Sequence, residues 1–375
     1  MKTVFYIDPQ SGNNLAMYDY ELLSRIHNTN LIYIGNVDYN YKKLANCKRE
    51  FIFRYSKYKS KILKLISYIR SLIILIYYLF KYKPQVVHIQ WFRIPKLEYY
   101  YYKLSKKIFG FNIVYTVHNI LPHVVKKGDN DLYSKIYIKL ADRLIVHTES
   151  SKKELSDIYG ISFKKIGVAP HGPLQYAFSN SDVSEEILRL KSIYGLNSKV
   201  IVSILGYQST YKGSDIIIQA WEESPRLNSD ENICLLIAGK FRDIKIPTKK
   251  YKNLICIPKK LTDIEFNAFL RMSDLLIFPY RVIEQSGLLL SAICEHIPYC
   301  ATNVGELLVP LKLANVGWEI KDNTPSGVSM LLDSVLSDID KLKSIKNRNA
   351  DWKRITDYYD WNNSAEMTEK IYNEF

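Results

Sequence analysis

The sequence has few cysteines, and their arrangement excludes a structural role. Five occur in 375 residues, and no two of them form a C-x-x-C pair. A scattered, odd set is typical of a reducing compartment, and it argues against a disulfide framework or a zinc site. The HExxH pattern and any His/Cys grouping are also missing, so we expect no metal. The cysteines are Cys47, Cys234, Cys256, Cys294 and Cys300.

Long hydrophobic runs, repeats and biased segments are missing as well. The most apolar run, residues 71–80, is bounded by Arg70 and Lys81. A run of this length cannot cross about 30 Å of hydrocarbon as a helix, so we expect no transmembrane segment. The opening MKTVFYID indicates a first strand and not a cleavable leader. Hydrophobic residues make up 47% and charged residues 24%, which excludes disorder and repeat arrays.

Acidic residues are scarce in one half of the chain. Residues 1–180 carry 28 Lys and Arg against 12 Asp and Glu, whereas residues 181–375 carry 24 against 26. The net charge of +14 therefore resides in the first half. Such an excess favours an acidic partner, and nucleic acid, a membrane surface and a phosphorylated substrate are all compatible with it.

Short β-branched runs alternate with helical periodicity along the whole chain, which predicts parallel sheets buried on both faces. The pattern occurs twice, so we expect two doubly wound α/β domains. The boundary falls between Pro173 and Asn197, and the aromatic C-terminal segment is expected to cross back to the first domain. The predicted strands cover residues 3–7, 31–34, 86–90, 112–117, 143–146 and 165–168, then 200–205, 234–238, 254–257, 274–278 and 299–302.

The basic excess is concentrated in residues 51–110. This segment has 13 Lys and Arg, ten tyrosines and a single acid, Glu98. Apolar residues recur at helical spacing between Ile62 and Phe80, flanked by lysines and tyrosines. The pattern is typical of a helix lying on an anionic bilayer. It is equally what the buried face of a domain helix looks like. Nucleic acid fits less well, because no nucleic-acid-binding motif accompanies the charge.

Three segments contain candidate site residues. In residues 276–292 a strand leads through Glu284 to a helix that starts near Gly287, and a helix N-terminus suits a phosphate. In residues 204–215 a strand and a glycine-containing loop end at Lys212, which is placed to reach a diphosphate at the carboxyl edge of the sheet. His118 follows a strand directly and could exchange a proton with a sugar hydroxyl. Capping turns and surface loops are the structural alternatives.

Together these segments resemble the retaining nucleotide-sugar glycosyltransferases of family 4, also called glycosyl transferases group 1, which have the GT-B fold. The resemblance covers nearly the whole chain. It implies an N-terminal acceptor-binding Rossmann-like domain (1–175), a C-terminal nucleotide-sugar-binding one (176–355) facing it across a cleft, and a crossover helix (356–375). The matching residues are Gly12, Thr116–Asn119, Pro170–Gly172, Tyr211–Gly213, Leu236–Gly239, Pro279–Tyr280, Glu284–Gly287 and the terminal aromatic helix.

The resemblance also implies roles for individual residues. Lys212 would bind the donor diphosphate, Glu284 would hold the donor sugar, and His118 would lie over the reacting sugar. Gly12 would leave room for donor and acceptor, and Gly206 would belong to the donor-binding loop. The donor is expected to be a UDP- or GDP-sugar, bound without a metal. The backbone near Ile257 and Pro258 would meet the base, and the N–H groups of Ser286, Gly287 and Leu288 would meet the phosphates.

Two positions depart from the family pattern. The second glutamate of the E-x7-E motif is Ala292, so ribose recognition must differ, with Glu295 as a possible substitute that we expect to be structural. The usual arginine of the donor loop is Tyr207, and Arg281 is a candidate for the missing charge.

The sequence therefore predicts a retaining hexosyltransferase on the cytoplasmic face of the plasma membrane, with residues 51–110 on anionic lipid. It would extend a lipid-linked saccharide in cell-surface polysaccharide synthesis. An inactive GT-B scaffold that binds membrane or a partner enzyme, or a nucleotide-sugar 2-epimerase, are the alternatives.

Overall fold

The computed structural model describes residues 1–12, 14–121, 128–174, 179–247, 251–283 and 285–375. The chain divides into two compact units. Unit 1 comprises Met1–Leu174 together with Tyr359–Phe375, and unit 2 comprises Gln175–Tyr358. The last 17 residues thus return to the first unit.

Unit 1 is a doubly wound domain around a parallel seven-stranded sheet of order β3-β2-β1-β4-β5-β6-β7. Except between β2 and β3, helices alternate with these strands, and they cover both faces, as a parallel sheet requires. The elements are β1 (Thr3–Asp8), α1 (Asn14–Leu23), β2 (Asn30–Asn36), β3 (Lys48–Phe53), α2 (Lys61–Tyr82), β4 (Val86–Ile89), α3 (Pro95–Phe109), β5 (Asn112–Thr116), α4 (Asp129–Lys135), β6 (Arg143–Val146), α5 (Glu149–Tyr159) and β7 (Ile166–Val168).

Unit 2 repeats the scheme with a parallel six-stranded sheet of order β10-β9-β8-β11-β12-β13. Its core is formed by apolar side chains of the central strands and of the helices packed on them. The elements are α6 (Asn180–Tyr194), β8 (Val200–Leu205), α7 (Ser214–Glu223), α8 (Pro225–Ser229), β9 (Ile233–Ala238), β10 (Leu254–Ile257), α9 (Asp263–Arg271), β11 (Leu275–Phe278), α10 (Gly287–Cys294), β12 (Tyr299–Thr302), α11 (Val309–Leu313), β13 (Gly317–Ile320), α12 (Pro325–Leu336), α13 (Ile339–Lys346) and α14 (Asn349–Tyr358).

The chain ends in α15 (Trp361–Asn373), which packs on unit 1. Its buried face includes Trp361, Ile371 and Tyr372. The Trp361 indole N–H donates to the carbonyl of Pro173 at 2.9 Å, and the Tyr372 hydroxyl lies 2.6 Å from Nδ1 of His88. These contacts fix α15 against the centre of the seven-stranded sheet.

Helix α2 is longer than the ten-residue run considered in the sequence. Its 22 residues are long and apolar enough, by length and composition alone, to cross a membrane. However, Leu72, Leu75 and Leu79 are buried in the core of unit 1, and the helix connects the parallel strands β3 and β4. A helix that must bring the chain back beside the same sheet is a crossover helix of the domain.

Candidate functional site

Each sheet contains one point at which the strand order reverses direction. In unit 1 this switch point lies between β1 and β4, and in unit 2 it lies between β8 and β11. Ligands of open α/β sheets bind beyond the carboxyl ends of the strands at such points. The residues after these four strands are therefore the primary candidates for a functional site.

In unit 2, the loops after β8 and β9 are joined by hydrogen bonds. The backbone N–H of Gln208 donates to the carbonyl of Lys240 at 3.0 Å, and that of Arg242 donates to the carbonyl of Gln208 at 3.0 Å. The buried Gln208 side chain also donates to the carbonyl of Gly206 at 2.9 Å and accepts from the Ser214 hydroxyl at 2.7 Å. The two loops thus form one fixed edge beside the switch point.

Lys212 lies at this edge, where the sequence places it. Its Nζ is 3.5 Å from the carbonyl of Leu205 and 5.7 Å from the centre of the Tyr280 ring. The next residue, Gly213, has φ +68° and leaves no room for a Cβ, which would come within 1.9 Å of the carbonyl oxygen of Pro279. Burial and the nearby Arg242 charge lower the pKa of Lys212 to about 8. Burial and the Arg242 charge both disfavour the protonated amine, and an anion bound here would offset this unfavourable effect.

Arg242 is a site residue that the sequence analysis missed. It follows β9, and its guanidinium carbon lies 3.9 Å from the centre of the Tyr207 ring. Tyr207 occupies the position at which the family pattern has an arginine. The aromatic ring therefore holds a guanidinium from the neighbouring loop, and its charge is felt at Lys212. A second positive charge is thus present near Lys212, and it comes from the residues that follow a different strand.

Arg281, the candidate chosen from the sequence, has another partner. Its two Nη atoms donate to the carboxylate of Asp215 at 2.8 and 2.6 Å, and its backbone N–H donates to the carbonyl of Tyr211. The bidentate pair lowers the pKa of Asp215 chiefly through these hydrogen bonds. Arg281 therefore ties the β11–α10 loop to α7, and its donor-binding role stays a prediction.

The N-terminus of α10 is open, as the phosphate hypothesis requires. The Ser286 hydroxyl caps the helix by accepting from the backbone N–H of Leu289 at 3.4 Å. A Cβ on Gly287 would have no described atom within 4 Å. The N–H groups of Gly287 and Leu288 have no acceptors within the helix, because they belong to its first turn. Glu284, the predicted sugar-binding residue, lies outside the described residues.

The other unit 2 positions considered in the sequence analysis lie at the end of β10 and in or just after α10. The carbonyl of Ile257 accepts from the backbone N–H groups of Gly239 and Lys259, at 3.0 and 2.9 Å, while Pro258 beside it is exposed. Ala292 is buried within α10, so this position offers no polar group. Oε1 of Glu295 accepts from Nε of Arg271 at 3.0 Å, which supports the structural role expected for Glu295.

In unit 1, Gly12 follows β1 in the segment that also contains a buried pair of acids, Asp8 at the end of β1 and Asp19 in α1. Asp19 accepts from the hydroxyls of Tyr6 and Tyr33 at 2.9 and 2.7 Å, and Asp8 accepts from the backbone N–H of Gln10. Burial raises the pKa of Asp8 to about 7 and raises that of Asp19, with the charge of Asp8 contributing to the latter. The pair therefore holds a proton near neutral pH. Gly12 itself has a negative φ, and a Cβ there would meet Asp38 at 3.4 Å.

His118 belongs to a connected network of buried polar groups. Its Nε2 lies 2.9 Å from the side-chain amide of Gln90, and its Nδ1 lies 3.1 Å from Nε2 of His147. Trp91 is stacked on the ring at a centroid distance of 4.3 Å. Burial lowers the pKa of His118 well below its ordinary value, and it lowers that of His147 to about 4. The rings are therefore neutral at physiological pH.

Neutrality fixes the direction of every hydrogen bond in this network. Nδ1 of His147 faces the carbonyl of Ala169 at 2.9 Å, so it carries the proton and Nε2 accepts. Nδ1 of His118 must then donate, and its Nε2 must accept. In the structure Oε1 of Gln90 faces Nε2 of His118 and its NH2 group faces His88, which would set two acceptors against each other at His118. We therefore assign the amide the other way round, with its NH2 group toward His118 and its oxygen toward His88. The Tyr372 hydroxyl then donates to Nδ1 of His88. Each group in the network donates to the next one, from Tyr372 in α15 to the carbonyl of Ala169.

Both ring nitrogens of His118 are thus engaged by the protein. For the His118 ring to form a hydrogen bond with a substrate, its hydrogen bond with Gln90 or with His147 would have to break. The predicted role of His118 over a reacting sugar stays a prediction. Among the described residues, no group of three or more His, Cys, Asp or Glu side chains is placed to hold a metal ion.

The arrangement of the two sheets and of α15 identifies the fold class of the protein. Two doubly wound parallel sheets with a C-terminal helix that returns to the first unit are the GT-B architecture, as the sequence predicted. In unit 1, residues 39–172 match the model of Glycosyltransferase Family 4. The predicted resemblance to GT-B glycosyltransferases of this family is therefore confirmed. No curated protein sequence matches the chain.

Solved structures agree on the fold along the entire chain. Anabaena HepE in complex with UDP-glucose is 12% identical with a TM-score of 0.67, and each chain is covered completely. Sucrose-phosphate synthase from Thermosynechococcus elongatus is 12% identical with a TM-score of 0.69, covering 100% of this chain and 99% of its own. A glycosyltransferase from Rickettsia africae is 14% identical with a TM-score of 0.66, covering 100% and 98%.

Proposed function

We infer that the protein is a retaining glycosyltransferase that moves a hexose from a nucleotide diphosphate sugar to a lipid-linked saccharide in cell-surface polysaccharide synthesis. The observation that carries the inference is the pair of cations, Lys212 and Arg242, at the switch point of unit 2. The same sheet edge leads to the open N-terminus of α10. Two cations and a helix N-terminus are suited to a diphosphate, whose charge they neutralise without a metal.

The donor is a UDP- or GDP-sugar in this proposal. HepE has been crystallised with UDP and with UDP-glucose, and starch synthase IV from Arabidopsis with ADP, so nucleotide diphosphates occupy proteins of this fold. Lys212 and Arg242 stabilise the departing diphosphate as negative charge develops on it. Because both groups are already fixed at the sheet edge, little reorganisation accompanies the reaction. Glu284 holds the sugar, and the family resemblance supports retention of configuration.

The acceptor lobe is unit 1, placed on the cytoplasmic face of the plasma membrane. Support comes from the outward side of α2, where Ile62, Ile66, Ile73 and Phe80 are 70%, 57%, 62% and 66% exposed. The apolar stripe identified in the sequence therefore divides: Leu72 and Leu79 are buried and most of the rest faces outward. An exposed apolar stripe among lysines is suited to an anionic bilayer that presents a lipid-linked acceptor.

The test is nucleotide binding followed by sugar transfer. Calorimetry with UDP, GDP and ADP should show binding of at least one, which Lys212→Ala weakens and Lys312→Ala, an exposed lysine of α11, does not. Lys212→Ala and Glu284→Ala should then abolish transfer from the bound sugar nucleotide to a membrane-lipid extract, with circular dichroism unchanged. Failure of every nucleotide diphosphate to bind would favour the inactive scaffold. Conversion of the sugar nucleotide without an acceptor would favour a 2-epimerase.

A further inference from the structure

A pocket of about 250 Å³ opens at the carboxyl edge of the unit 1 sheet, between the first two turns of α2 and the segment that leads into α3. Aliphatic side chains and tyrosine rings form much of its wall, and three cationic side chains complete it. The apolar lining residues are Tyr55, Leu65, Tyr68 and Ile94.

The three cations of the pocket come from both sides of it. Lys61 and Lys64 belong to the first turn of α2, and Arg93 precedes α3. Within the described part of the chain, none of the three forms an ion pair. The guanidinium carbon of Arg93 instead lies 5.0 Å from the centre of the Tyr55 ring. Like charges repel, and lysines in a first turn oppose the helix dipole, so an anion in the pocket would offset two unfavourable effects.

The two tyrosine hydroxyls of the pocket are already bonded within the protein. The Tyr68 hydroxyl donates to Glu98 at 2.7 Å, and the Tyr55 hydroxyl donates to the carbonyl of Pro9 at 3.1 Å. Glu98 also accepts from the backbone N–H of Ile94, and burial raises its pKa to about 7. This acid therefore cancels at most one of the three positive charges. An anion in the pocket would be bound by the two amines and the guanidinium.

An apolar furrow leads away from the pocket between α2 and α3. The two helices lie on the same face of the sheet, share one core, and both run from its carboxyl edge to its amino edge. The hydroxyl of Tyr101 in α3 donates to the carbonyl of Leu72 in α2 at 2.8 Å, which marks their line of contact.

Exposed aliphatic side chains lie above this line of contact on both helices. At 3.6 residues per turn, those of α2 lie within about 60° of Leu72 around the helix axis, and those of α3 lie within about 60° of Tyr101, in both cases on the side away from the core. The two stripes therefore face each other across the contact. Leu65 lines the pocket as well, so pocket and furrow are continuous. The furrow residues are Leu65, Ile69 and Ile76 of α2, with Leu97, Leu104 and Ile108 of α3.

The pocket also lies next to the switch point of unit 1. Tyr55 contacts Pro9, which directly follows β1, and Arg93 belongs to the segment after β4. The strands β1 and β4 are the two that flank the switch point. A phosphate in the pocket would therefore lie at the reacting edge, with the furrow leading away from it toward the amino edge of the sheet.

We propose that this pocket binds the phosphate through which the acceptor saccharide is joined to its lipid, and that the lipid chain lies in the α2–α3 furrow. The inference rests on the proposed function, because it takes the acceptor to be lipid-linked, and it adds the site at which that acceptor is recognised. Lys61, Lys64 and Arg93 bind the phosphate. The saccharide then points toward the switch point and the lipid away from it, so the pocket determines which end of the amphiphile meets the donor.

The first experiment measures binding of dodecyl phosphate, below its micelle concentration, to the full-length protein by calorimetry. Two triple variants remove equal charge, one from the pocket and one from exposed lysines elsewhere on α2 and α3. The pocket triple should bind at least about tenfold more weakly than the wild type, as expected for lost charge-assisted hydrogen bonds, and the control should stay within about threefold. Both should bind nucleotide like the wild type. The variants are Lys61→Gln/Lys64→Gln/Arg93→Gln and Lys81→Gln/Lys103→Gln/Lys107→Gln.

The furrow is tested by the length of the alkyl chain. A buried methylene is worth up to about fourfold in affinity, so octyl, decyl and dodecyl phosphate should bind with increasing strength. Ile69→Asn/Leu104→Asn should flatten this series, whereas Leu188→Asn/Ile193→Asn, at exposed apolar positions of α6, should leave it unchanged. An equally steep series in both double variants would exclude the furrow.

The transfer assay identifies the occupant. Dodecyl phosphate should inhibit transfer competitively with respect to the lipid-extract acceptor and not with respect to the sugar nucleotide. Binding without inhibition would assign the site to bulk phospholipid instead of the acceptor. Equal loss of binding in both triple variants would show diffuse attraction, and equally tight binding of dodecyl maltoside or of inorganic phosphate would show that the pocket does not recognise a lipid phosphate.

The site and the proposed function fail in different ways. Protein that binds nucleotide but not dodecyl phosphate would overturn the site and leave the donor chemistry intact. Protein that binds dodecyl phosphate but no nucleotide diphosphate would overturn the proposed transferase, and with it the assignment of the pocket to an acceptor.

Discussion

The guanidinium of Arg242 lies 3.9 Å from the centre of the Tyr207 ring, so a residue after β9 supplies the charge that the family pattern places after β8. The substitution at position 207 therefore leaves the sheet edge positive, and the tyrosine acts as the surface on which the replacement cation rests. A stacked guanidinium is also restricted in its motion, which favours a defined geometry for binding.

The first prediction concerns this replacement. Arg242→Gln should weaken UDP or GDP binding by about 1.5–3 kcal/mol, the range for a hydrogen bond to a charged group. Arg281→Gln should leave nucleotide affinity nearly unchanged, because Arg281 is paired with Asp215. Isothermal titration calorimetry of both variants decides between the two arginines. The reverse ranking would reinstate Arg281 as the donor ligand.

The second prediction concerns Lys212 and pH. Its pKa of about 8 means that the amine loses its proton just above neutrality. A bound diphosphate favours the charged form, so binding above that pKa must be accompanied by proton uptake. Nucleotide affinity should therefore fall by up to about tenfold per pH unit above pH 8. In Lys212→Arg the fall should be absent, because a guanidinium stays charged; an equal fall in that variant would exclude Lys212 as its origin.

The third prediction concerns the buried acids Asp8 and Asp19. Asp8 has a folded-state pKa of about 7, above its ordinary 3.8, so its stabilising contribution is present at low pH and is lost as the pH rises toward 7. Asp8→Asn should therefore raise the free energy of unfolding by about 1–3 kcal/mol at pH 8 relative to wild type and change it little at pH 4. Urea titrations at both values measure this. A variant that destabilises equally at both pH values would contradict the assignment.

The fourth prediction concerns the orientation of the Gln90 amide. The assignment requires His118 and His147 to carry their protons on Nδ1 and to be neutral at physiological pH, in keeping with their lowered pKa values. Nitrogen-15 NMR of the ring nitrogens distinguishes the tautomers. Gln90→Glu, which cannot donate to His118, should change the His118 tautomer or protonate the His118–His147 pair. Nε2–H on His118 in the wild type would show that the amide has the opposite orientation.

Most of the fold could be predicted from the sequence because central parallel strands are uniformly apolar. The predicted strands at residues 200–205 and 299–302 agree with the interior strands β8 and β12, and the prediction at 254–257 agrees with β10, an edge strand that is also uniformly apolar. Two strands were missed, β3 and β13, and both lie at the edge of their sheet. Edge strands are buried less completely, and KREFIF and GWEI accordingly mix charged with apolar residues. That composition weakens the pattern on which strand prediction relies.

The site was only partly predictable, because some of its contacts depend on which strands are neighbours. A lysine at a helix start is unfavourable for the helix dipole, so Lys212 could be singled out from local sequence. Arg242 is 35 positions from Tyr207, and it becomes relevant only when β9 pairs with β8. Likewise, α2 is apolar around most of its circumference, so periodicity alone could not separate its buried residues from its exposed ones.

The return of α15 to unit 1 has a consequence for biosynthesis. The sheet of unit 1 is complete after β7, but Trp361 and Tyr372, which pack against its centre, are synthesised only after unit 2. The 184 residues of unit 2, Gln175–Tyr358, lie between β7 and α15 in the chain. At about 5–20 residues per second, a ribosome needs on the order of 10–40 s to synthesise this interval. Throughout that time the nascent first unit lacks its final helix, so its Tyr18 and His88 face the space that α15 will fill.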